Sequence, residues 1–483
     1  MALETVSFIN DLVAANPPGT DGLSEGDNHI RNIKTALLAS LPGLAGRAFR
    51  VQAKSGNYTV VLTDNSTLIN CTATLTLTLT AVATLGNGFI FYVFNNTRGL
   101  VTIAPNASEL INGYLDYIVL PGQIITIFSD GAAFHVIDTP EQHPNPLINS
   151  RMRYWGEGTA TQSVSNGSNI NLATGMRLVL GGGGTGQINA FRDTAVPSVL
   201  SSNIFPVFST ALIVQTTVTS ATHGTYIKWN LEGNNFVQLA QRPFTFSFWV
   251  KSSLTGNYNI ALTNAGNDRS YAKSFQISAA NTWEFKKFLI PASPSAGTWD
   301  YSEGTGLVVR LMLAWAGTTV TDDAWTTVDA FASTPNANFA GTLSASFNVA
   351  APMMSLGYSN RLWTPDLPAI DRVNCERYFR KTFDPDVMPD NNLGTAGAYT
   401  VLCNGAGNFY LTVPHYGMRS APTVEVYNPS VTATRTFFAS NPTAYTATVI
   451  ENNMNLSKIS AQTVRATASG NFILGHVTLD SRL

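Results

Sequence analysis

The chain is predicted to be mainly β, and three observations predict it. Charged residues make up 12% of the 483 residues, well under the ~25% of an average soluble domain, while the hydrophobic share is an ordinary 44%. Ser, Thr, Asn and Gly fill the gap, a composition that suits β-sandwiches with polar, uncharged surfaces and argues against disorder. Short strand-like runs bounded by Gly, Asn, Asp and Pro recur from about residue 48 to the end. All eight tryptophans lie between Trp155 and Trp363, which marks off a separate domain. The expected architecture is a short N-terminal helical anchor, a small β-sandwich, a larger jelly-roll sandwich and a small C-terminal β-sandwich. At roughly 150 residues per domain, the length suits about three domains.

Residues 1–45 form the head. An apolar segment leads through Pro17-Pro18-Gly19 into one brief amphipathic helix. Ser24 is the expected N-cap and Asp27 meets the helix dipole in the first turn. Ile30, Ile33, Leu37 and Leu41 follow at near-heptad spacing, and Pro42-Gly43 stops the helix. The stripe spans under two heptads, too short for a stable coiled coil by itself, so it needs a body, a sister chain or a partner to pack on.

Residues 48–138 carry about seven short β-rich runs, a small sandwich. Thr72 to Thr80 alternates Thr with apolar residues at period two, which half-buries a strand. No repeat of fixed short period is present, which predicts no solenoid or β-helix rungs. Residues 139–146 hold three prolines in eight and read as a stiff boundary.

Residues 147–365 hold the tryptophans and many strand-like runs. In Phe244 to Lys251, Phe244, Phe246, Phe248 and Val250 share one face. This pattern predicts a jelly-roll sandwich. Residues 366–483 open with a short amphipathic stretch through Cys375 and return to β pattern.

Several stretches resemble bacteriophage tail-fibre, neck and head-spike appendage proteins. The head reads Leu23, Gly26, Asp27, His29, Ile30, Arg31, Ile33 and Lys34, similar to a virion-anchoring motif at the N-terminus of such proteins. Tyr58-Thr59-Val60, Thr74 to Leu79, Gly86 to Phe89 and Pro121-Gly122-Gln123 resemble a domain common in phage fibres. Asn145 to Asn149, Phe246 to Gly256, Asn281 to Lys286, Gly297 to Trp299, and Cys375 with Arg377, Tyr378 and Phe379 follow the order of landmarks of a lectin-like jelly roll. Met418 to Thr423 resembles the segment after it. The resemblance implies a homotrimeric virion fibre. Leu23, Ile30, Arg31, Ile33, Lys34 and Leu37 would then meet other virion proteins.

Catalytic and cofactor motifs are weak. GGGGTG at 181–186 follows a strand-like run, yet the next residues are neither helical nor followed by the acidic residue of a nucleotide fold, so a loop between strands is expected. Asp384, Asp386 and Asp390 have Met388 and Pro389 where a calcium loop needs an acid and Gly, so they read as a solvated turn. The six histidines are scattered, His29 reading as a surface residue, and the three cysteines fit neither a disulfide framework nor a zinc site. Cys71, Cys375 and Cys403 read as small buried residues. No metal or cofactor is expected. A formal net charge of -2 leaves no nucleic-acid footprint. The longest apolar run is about six residues, far short of the ~20 of a membrane helix, and with no leader the chain is expected to fold in a cytoplasm.

The expected role is host adsorption by a virion appendage assembled in the host cytoplasm, with a surface glycan as ligand and no enzymatic activity. Flat aromatic rings suit pyranose faces, and Asn, Asp and Gly loops supply hydrogen bonds. Trp299, Tyr301 and Trp325 sit in loop-like sequence and are the candidate glycan-binding residues; for any single tryptophan a core role is the plainer reading. The alternatives are a purely structural collar or vertex protein, and a polysaccharide depolymerase built on two of the acids Glu157, Asp268, Asp300, Glu303, Asp322 and Asp323.

Overall fold

The computed structural model describes residues 12, 26–40, 44–45, 48–97, 99–112, 116–119, 121–138, 145–182, 185–201, 207–218, 224–357, 363, 366–402, 407–415, 417–430, 432, 438–439, 461–468 and 472–483. Leu23, Ser24, Leu41, His143, His223, Cys403 and most of the proline-rich boundary lie outside these. The chain divides into two compact units, 1–142 and 143–483.

In the first unit, the helix Gly26–Ser40 has acidic Asp27 in its first turn, bonded to Arg31 one turn on at 2.6 Å. Its strands are β1 (Leu44–Ala45), β2 (Ala48–Lys54), β3 (Tyr58–Val60), β4 (Thr67–Cys71), β5 (Leu75–Leu79), β6 (Asn87–Asn95), β7 (Val101–Ala104), β8 (Tyr117–Val119), β9 (Ile124–Asp130) and β10 (Phe134–Asp138). They form two sheets, ordered β1-β2-β4-β6-β9-β10 and β3-β5-β7-β8. The alternation read in 72–80 is realised in β5, where Leu75, Leu77 and Leu79 are buried. They share one core with Ile69, Cys71, Phe91, Val93, Val101 and Ile103. Each such apolar side chain removed from water contributes about 1.5–3 kcal/mol.

The path of the chain through this sandwich corrects one expectation. From β2 to β7 the chain alternates between the sheets, and β2, β4 and β6 pair in parallel, as do β3, β5 and β7. These are the rungs of a short β-coil, closed by the antiparallel strands β8, β9 and β10. Paired residues are 17 apart between β2 and β4 and 19 between β3 and β5. The offsets grow to 24 between β4 and β6 and 26 between β5 and β7. With strands and turns of unequal length the repeat has no fixed period, and a search for one misses it.

The second unit contains β11 (Gln162–Ser165), β12 (Ser168–Asn171), β13 (Met176–Leu180), β14 (Gln187–Asp193), β15 (Ser209–Thr216), β16 (Gly224–Glu232), β17 (Phe244–Ser252), β18 (Gly256–Asn264), β19 (Ser270–Ile277), β20 (Glu284–Ile290), β21 (Thr305–Trp315), β22 (Ala324–Thr326) and β23 (Ser346–Leu356). Antiparallel pairing arranges them as β11-β14-β15-β23-β17-β20 and β12-β13-β16-β21-β18-β19-β22, a jelly-roll sandwich. Phe244, Phe246, Phe248 and Val250 are all fully buried between the sheets, as their alternation requires. Gly181 and Gly186 flank the connection between β13 and β14, a loop between strands.

The C-terminal part contributes a helix, Pro368–Glu376, then β24 (Phe379–Lys381), β25 (Tyr399–Leu402), β26 (Gly407–Pro414), β27 (Thr423–Tyr427), β28 (Phe438–Ala439), β29 (Ala461–Ala468) and β30 (Phe472–Asp480). β30 pairs with β24, β25, β27 and β28, and β26 pairs with β29. This part is clamped to the jelly roll. Glu232, 1% exposed at the end of β16, accepts Arg377 Nε at 2.9 Å, Arg377 Nη2 at 2.5 Å and the Tyr378 hydroxyl at 2.7 Å. Burial pushes its pKa up, but these donors outweigh it and hold the carboxyl below the usual range. Asp371 accepts the Asn149 N–H at 2.9 Å. Asp386 takes a two-pronged bond from Arg192, at 2.9 and 3.0 Å, so the Asp384–Asp390 segment is an anchored turn rather than a merely solvated one.

Candidate functional site

Two of the three candidate aromatics, Trp299 and Tyr301, stack on Phe236, which closes a one-turn helix, Gly233–Phe236, after β16, and the third, Trp325, joins through Trp299. Phe236 is fully buried. The Trp299 ring lies 5.3 Å from it at 19°, and the Tyr301 ring 6.2 Å from it at 7°. Trp325 meets Trp299 edge-on at 5.8 Å and Tyr271 at 5.6 Å. Trp299 and Tyr301 lie in the loop between β20 and β21, as the sequence suggests. Trp325 does not: it sits on the short edge strand β22, paired with Tyr271 of β19.

Glycines and carboxylates set the loop. Gly233 N–H donates to Gly304 O at 2.9 Å, and Asn234 N–H to Ser302 O at 2.8 Å. A Cβ on Gly233 would fall 2.6 Å from Asp300 O, so only glycine lets the two segments approach this closely. Asp300 accepts the N–H and hydroxyl of Ser302 at 2.7 and 2.8 Å. Asp268 accepts Asn264 Nδ2 at 2.5 Å and both the N–H and hydroxyl of Thr298. These donors, Asn264 first, hold the Asp268 carboxyl below its ordinary pKa. Gly297, at φ +113°, turns the chain beside it.

The consequence is a division of labour. Trp299 Nε1 donates to Ala296 O at 3.1 Å and Trp325 Nε1 to Pro291 O at 3.0 Å, so both indole N–H groups are used within the protein. Both rings pack partly buried against the sandwich core. Tyr301, at 39% exposure, presents its ring to solvent beside exposed Asn234, Val237, Ser302 and Glu303. The arrangement offers one part-exposed aromatic ring with a hydroxyl on a stiffened loop, with exposed polar Ser302 and Glu303 next to it in the chain.

Of the other candidate acids, Glu303 is exposed, and Asp322, Asp323 and Glu157 are occupied. Asp323 accepts the Tyr271 hydroxyl at 2.6 Å; burial, and then this carboxylate, drive that phenol's pKa upward. Asp322 accepts Ser274 N–H and the Ser333 hydroxyl, and Glu157 pairs with Arg482 at 2.8 Å. A polar cavity of about 220 Å³ opens near Phe379, Tyr427, Thr478, Asp480 and Arg482, but Arg482 already bridges two of its carboxylates, Asp480 and Glu157, and the third, Glu425, accepts the Tyr427 hydroxyl at 2.8 Å.

On the head helix, Ile30, Ile33 and Leu37 are 54%, 43% and 44% exposed, with Arg31 and Lys34 exposed beside them. His29 is not the surface residue expected: with Ala36 it forms the buried face of the helix. Among the described residues no group of metal-ligating side chains gathers, and no helix is long and apolar enough to cross a membrane. Cys71 and Cys375 are buried free thiols.

Sequence reading missed the Glu232 clamp. Its signal was present in Arg377 and Tyr378 of the lectin-like landmarks, but the acid that they grip lies about 145 residues earlier. Neither a protein-family model nor a curated protein matches the chain. Solved structures that it is similar to include TmCBM61 in complex with beta-1,4-galactotriose, 8% identical over 44% of this chain and 100% of that one, with a TM-score of 0.22. The family 11 carbohydrate-binding module of the cellulosomal cellulase Lic26A-Cel5E of Clostridium thermocellum is 9% identical over 43% of this chain and 95% of that one, with a TM-score of 0.22. Arabinose-bound MgGH51 α-L-arabinofuranosidase is 12% identical over 51% of this chain and 32% of that one, with a TM-score of 0.25. At these scores the likenesses decide nothing about ligand, and the fold assignment rests on the strand pairing itself.

Proposed function

We propose that this chain is a bacteriophage virion appendage, a tail fibre or head or neck fibre, that adsorbs to a host surface glycan. The observation that carries the adhesion reading is the exposed Tyr301 ring, held parallel to buried Phe236 on a loop stiffened by Asp268 and Asp300. A rigid aromatic with few rotors loses little entropy on binding, and polar Ser302 and Glu303 next to it in the chain supply hydrogen bonds. The exposed Ile30, Ile33 and Leu37 support a docking role for the head against other virion proteins. In this reading the protein is a homotrimer assembled in the host cytoplasm, linked modules gain avidity on the particle, and no catalysis is involved.

A glycan array probed with the intact oligomer tests adhesion; the absence of any bound glycan refutes it. A second reading, a structural collar or vertex protein, is favoured by the internal satisfaction of both indole N–H groups. Reducing sugar released from host capsule would favour a depolymerase instead. Residues 1–45 fused to a reporter test the anchor, which is refuted if virions do not take up the fusion.

A further inference from the structure

A row of cations crosses the outer face of the seven-stranded sheet. Arg177 on β13 is directly opposite Lys228 on β16, and Lys228 is directly opposite Arg310 on β21. Their sequence neighbours Leu178, Ile227, Trp229, Val309 and Leu311 are all buried in the core, so strand alternation sends the three cations out of one face. Like charges directly opposite destabilise a sheet. A fold keeps such a row when something else compensates it.

The protein itself compensates only part. Arg310 is 8% exposed, donates Nη1 to Thr263 Oγ1 at 2.6 Å and lies 4.3 Å from the Phe331 ring. Arg177 donates Nε to the neutral Asn171 Oδ1 at 3.0 Å. The carboxylate that attracts it, Asp480, is taken by Arg482 through bonds of 2.5 to 3.0 Å. Lys228 has no ion pair or hydrogen bond among the described residues. Burial first, then Arg177 and Arg310, push its ammonium down to about 8. Arg177 and Lys228 share an open cavity of about 30 Å³ with Asn171, Asn230, Arg482 and Leu483, whose backbone oxygen accepts Asn230 Nδ2 at 2.7 Å and leaves the two cations unpaired with it. That space admits atoms of water size, such as the oxygens of a charged group, and excludes a sugar ring.

We propose that Arg177 and Lys228 form an oxyanion site that receives a carboxylate or phosphate group borne by an acidic glycan, with the sugar ring remaining outside the cavity. A fork and an ammonium side by side suit two oxygens of one anion. The identity of the carrier rests on the glycan reading above; the anion site does not.

The test is anion linkage on the full chain at constant ionic strength, because exposed charges are screened by salt. Sodium phosphate and sodium glucuronate, each at ten times its Kd, raise the melting temperature of the 143–483 unit by on the order of 2 °C, and glucose and sodium chloride do not. Lys228→Gln and Arg177→Gln each weaken anion binding about tenfold, which at the same anion concentration leaves a rise of about 0.6 °C. Lys228→Gln also melts above the wild type in anion-free buffer, because the opposed charges are gone. Calorimetric titration of phosphate into the wild type stands whether or not the variants fold. A response to glucuronate alone assigns a carboxylate, and a response to phosphate alone assigns a phosphate-bearing glycan. The site is rejected if neither anion is bound by the wild type, or if both variants respond as the wild type does. A blank glycan array alongside intact anion linkage overturns adhesion and leaves the site standing.

Discussion

Replacing Glu232 by Gln removes the charge that fastens the C-terminal part to the jelly roll and keeps the shape. The amide then points an NH2 group where Arg377 and Tyr378 donate. Glu232 is 1% exposed and the Arg377 side chain 33% exposed. Breaking a buried ion pair from one side costs about 3–5 kcal/mol. Arg377 can rehydrate through its exposed third, which sets Glu232→Gln near the lower figure, about 3 kcal/mol. Arg377→Met leaves a buried carboxylate with only Tyr378 and Asn234 as donors, and falls nearer the upper figure. With an unfolding entropy of about 2.1 cal/mol/K per residue, 3 kcal/mol lowers the melting temperature of this unit by about 4 °C. The assay is tryptophan fluorescence during thermal and urea unfolding. All eight tryptophans lie in 143–483, so the signal reports on this unit alone. The double variant should show a coupling of about 2 kcal/mol. Additivity within about 0.5 kcal/mol, or an unchanged melting temperature for Glu232→Gln, refutes the clamp.

Four further outcomes are expected. Burial raises the Asp371 carboxyl from 3.8 to about 6, so the folded state holds its proton more tightly than the unfolded chain. Its contribution, about 3 kcal/mol, is present below pH 3.8 and is lost as pH rises through 6; a urea-unfolding pH series should show this slope, and Asp371→Asn should flatten it. Tyr301→Ala should abolish glycan binding with a stability change within about 0.5 kcal/mol, whereas Phe236→Ala should cost about 3–5 kcal/mol in denaturation. Gly158 has φ +81°, and a Cβ there would fall 2.8 Å from Met388 Cα; Gly158→Ala should therefore lower the melting temperature, and an unchanged value would refute the tight docking of that turn. Replacing Ile30, Ile33 and Leu37 together by Ser should leave circular dichroism unchanged and remove the protein from purified virions.

Periodicity makes some elements legible from the amino-acid order alone. Phe244 to Val250 and Leu75 to Leu79 alternate strictly, and both runs bury the apolar set. Some of the landmarks quoted for the fibre resemblance are legible too, and the structure explains three of them as fasteners. Asn149 binds Tyr154 O and Asp371, Arg377 and Tyr378 grip Glu232, and Arg419 reaches Ser481 O and Glu303 O. Register is what the amino-acid order does not carry. Trp325 looks like loop sequence because β22 is three residues long and exists only by pairing with β19. The cations Arg177, Lys228 and Arg310 are separated by tens of residues and meet only once β13, β16 and β21 are aligned. His29 shows why helix periodicity has two answers: the apolar stripe faces out, and the face with His29 and Ala36 is buried.

The parallel rungs of the first unit separate what this chain must inherit from what it can change. Offsets widen from 17 to 24 residues in one sheet and from 19 to 26 in the other, seven in each, while every strand keeps its partner. The extra residues go mostly into longer strands, β5 having five residues where β3 has three and β6 nine where β4 has five, and the rest into the connections. Strand and turn lengths can therefore both change from rung to rung without disturbing the order of a ladder. Duplication of one whole rung would add a layer of about 4.8 Å. Reach becomes a heritable quantity that changes in discrete steps, and kinship in this part of the chain is better traced by strand order than by aligned letters.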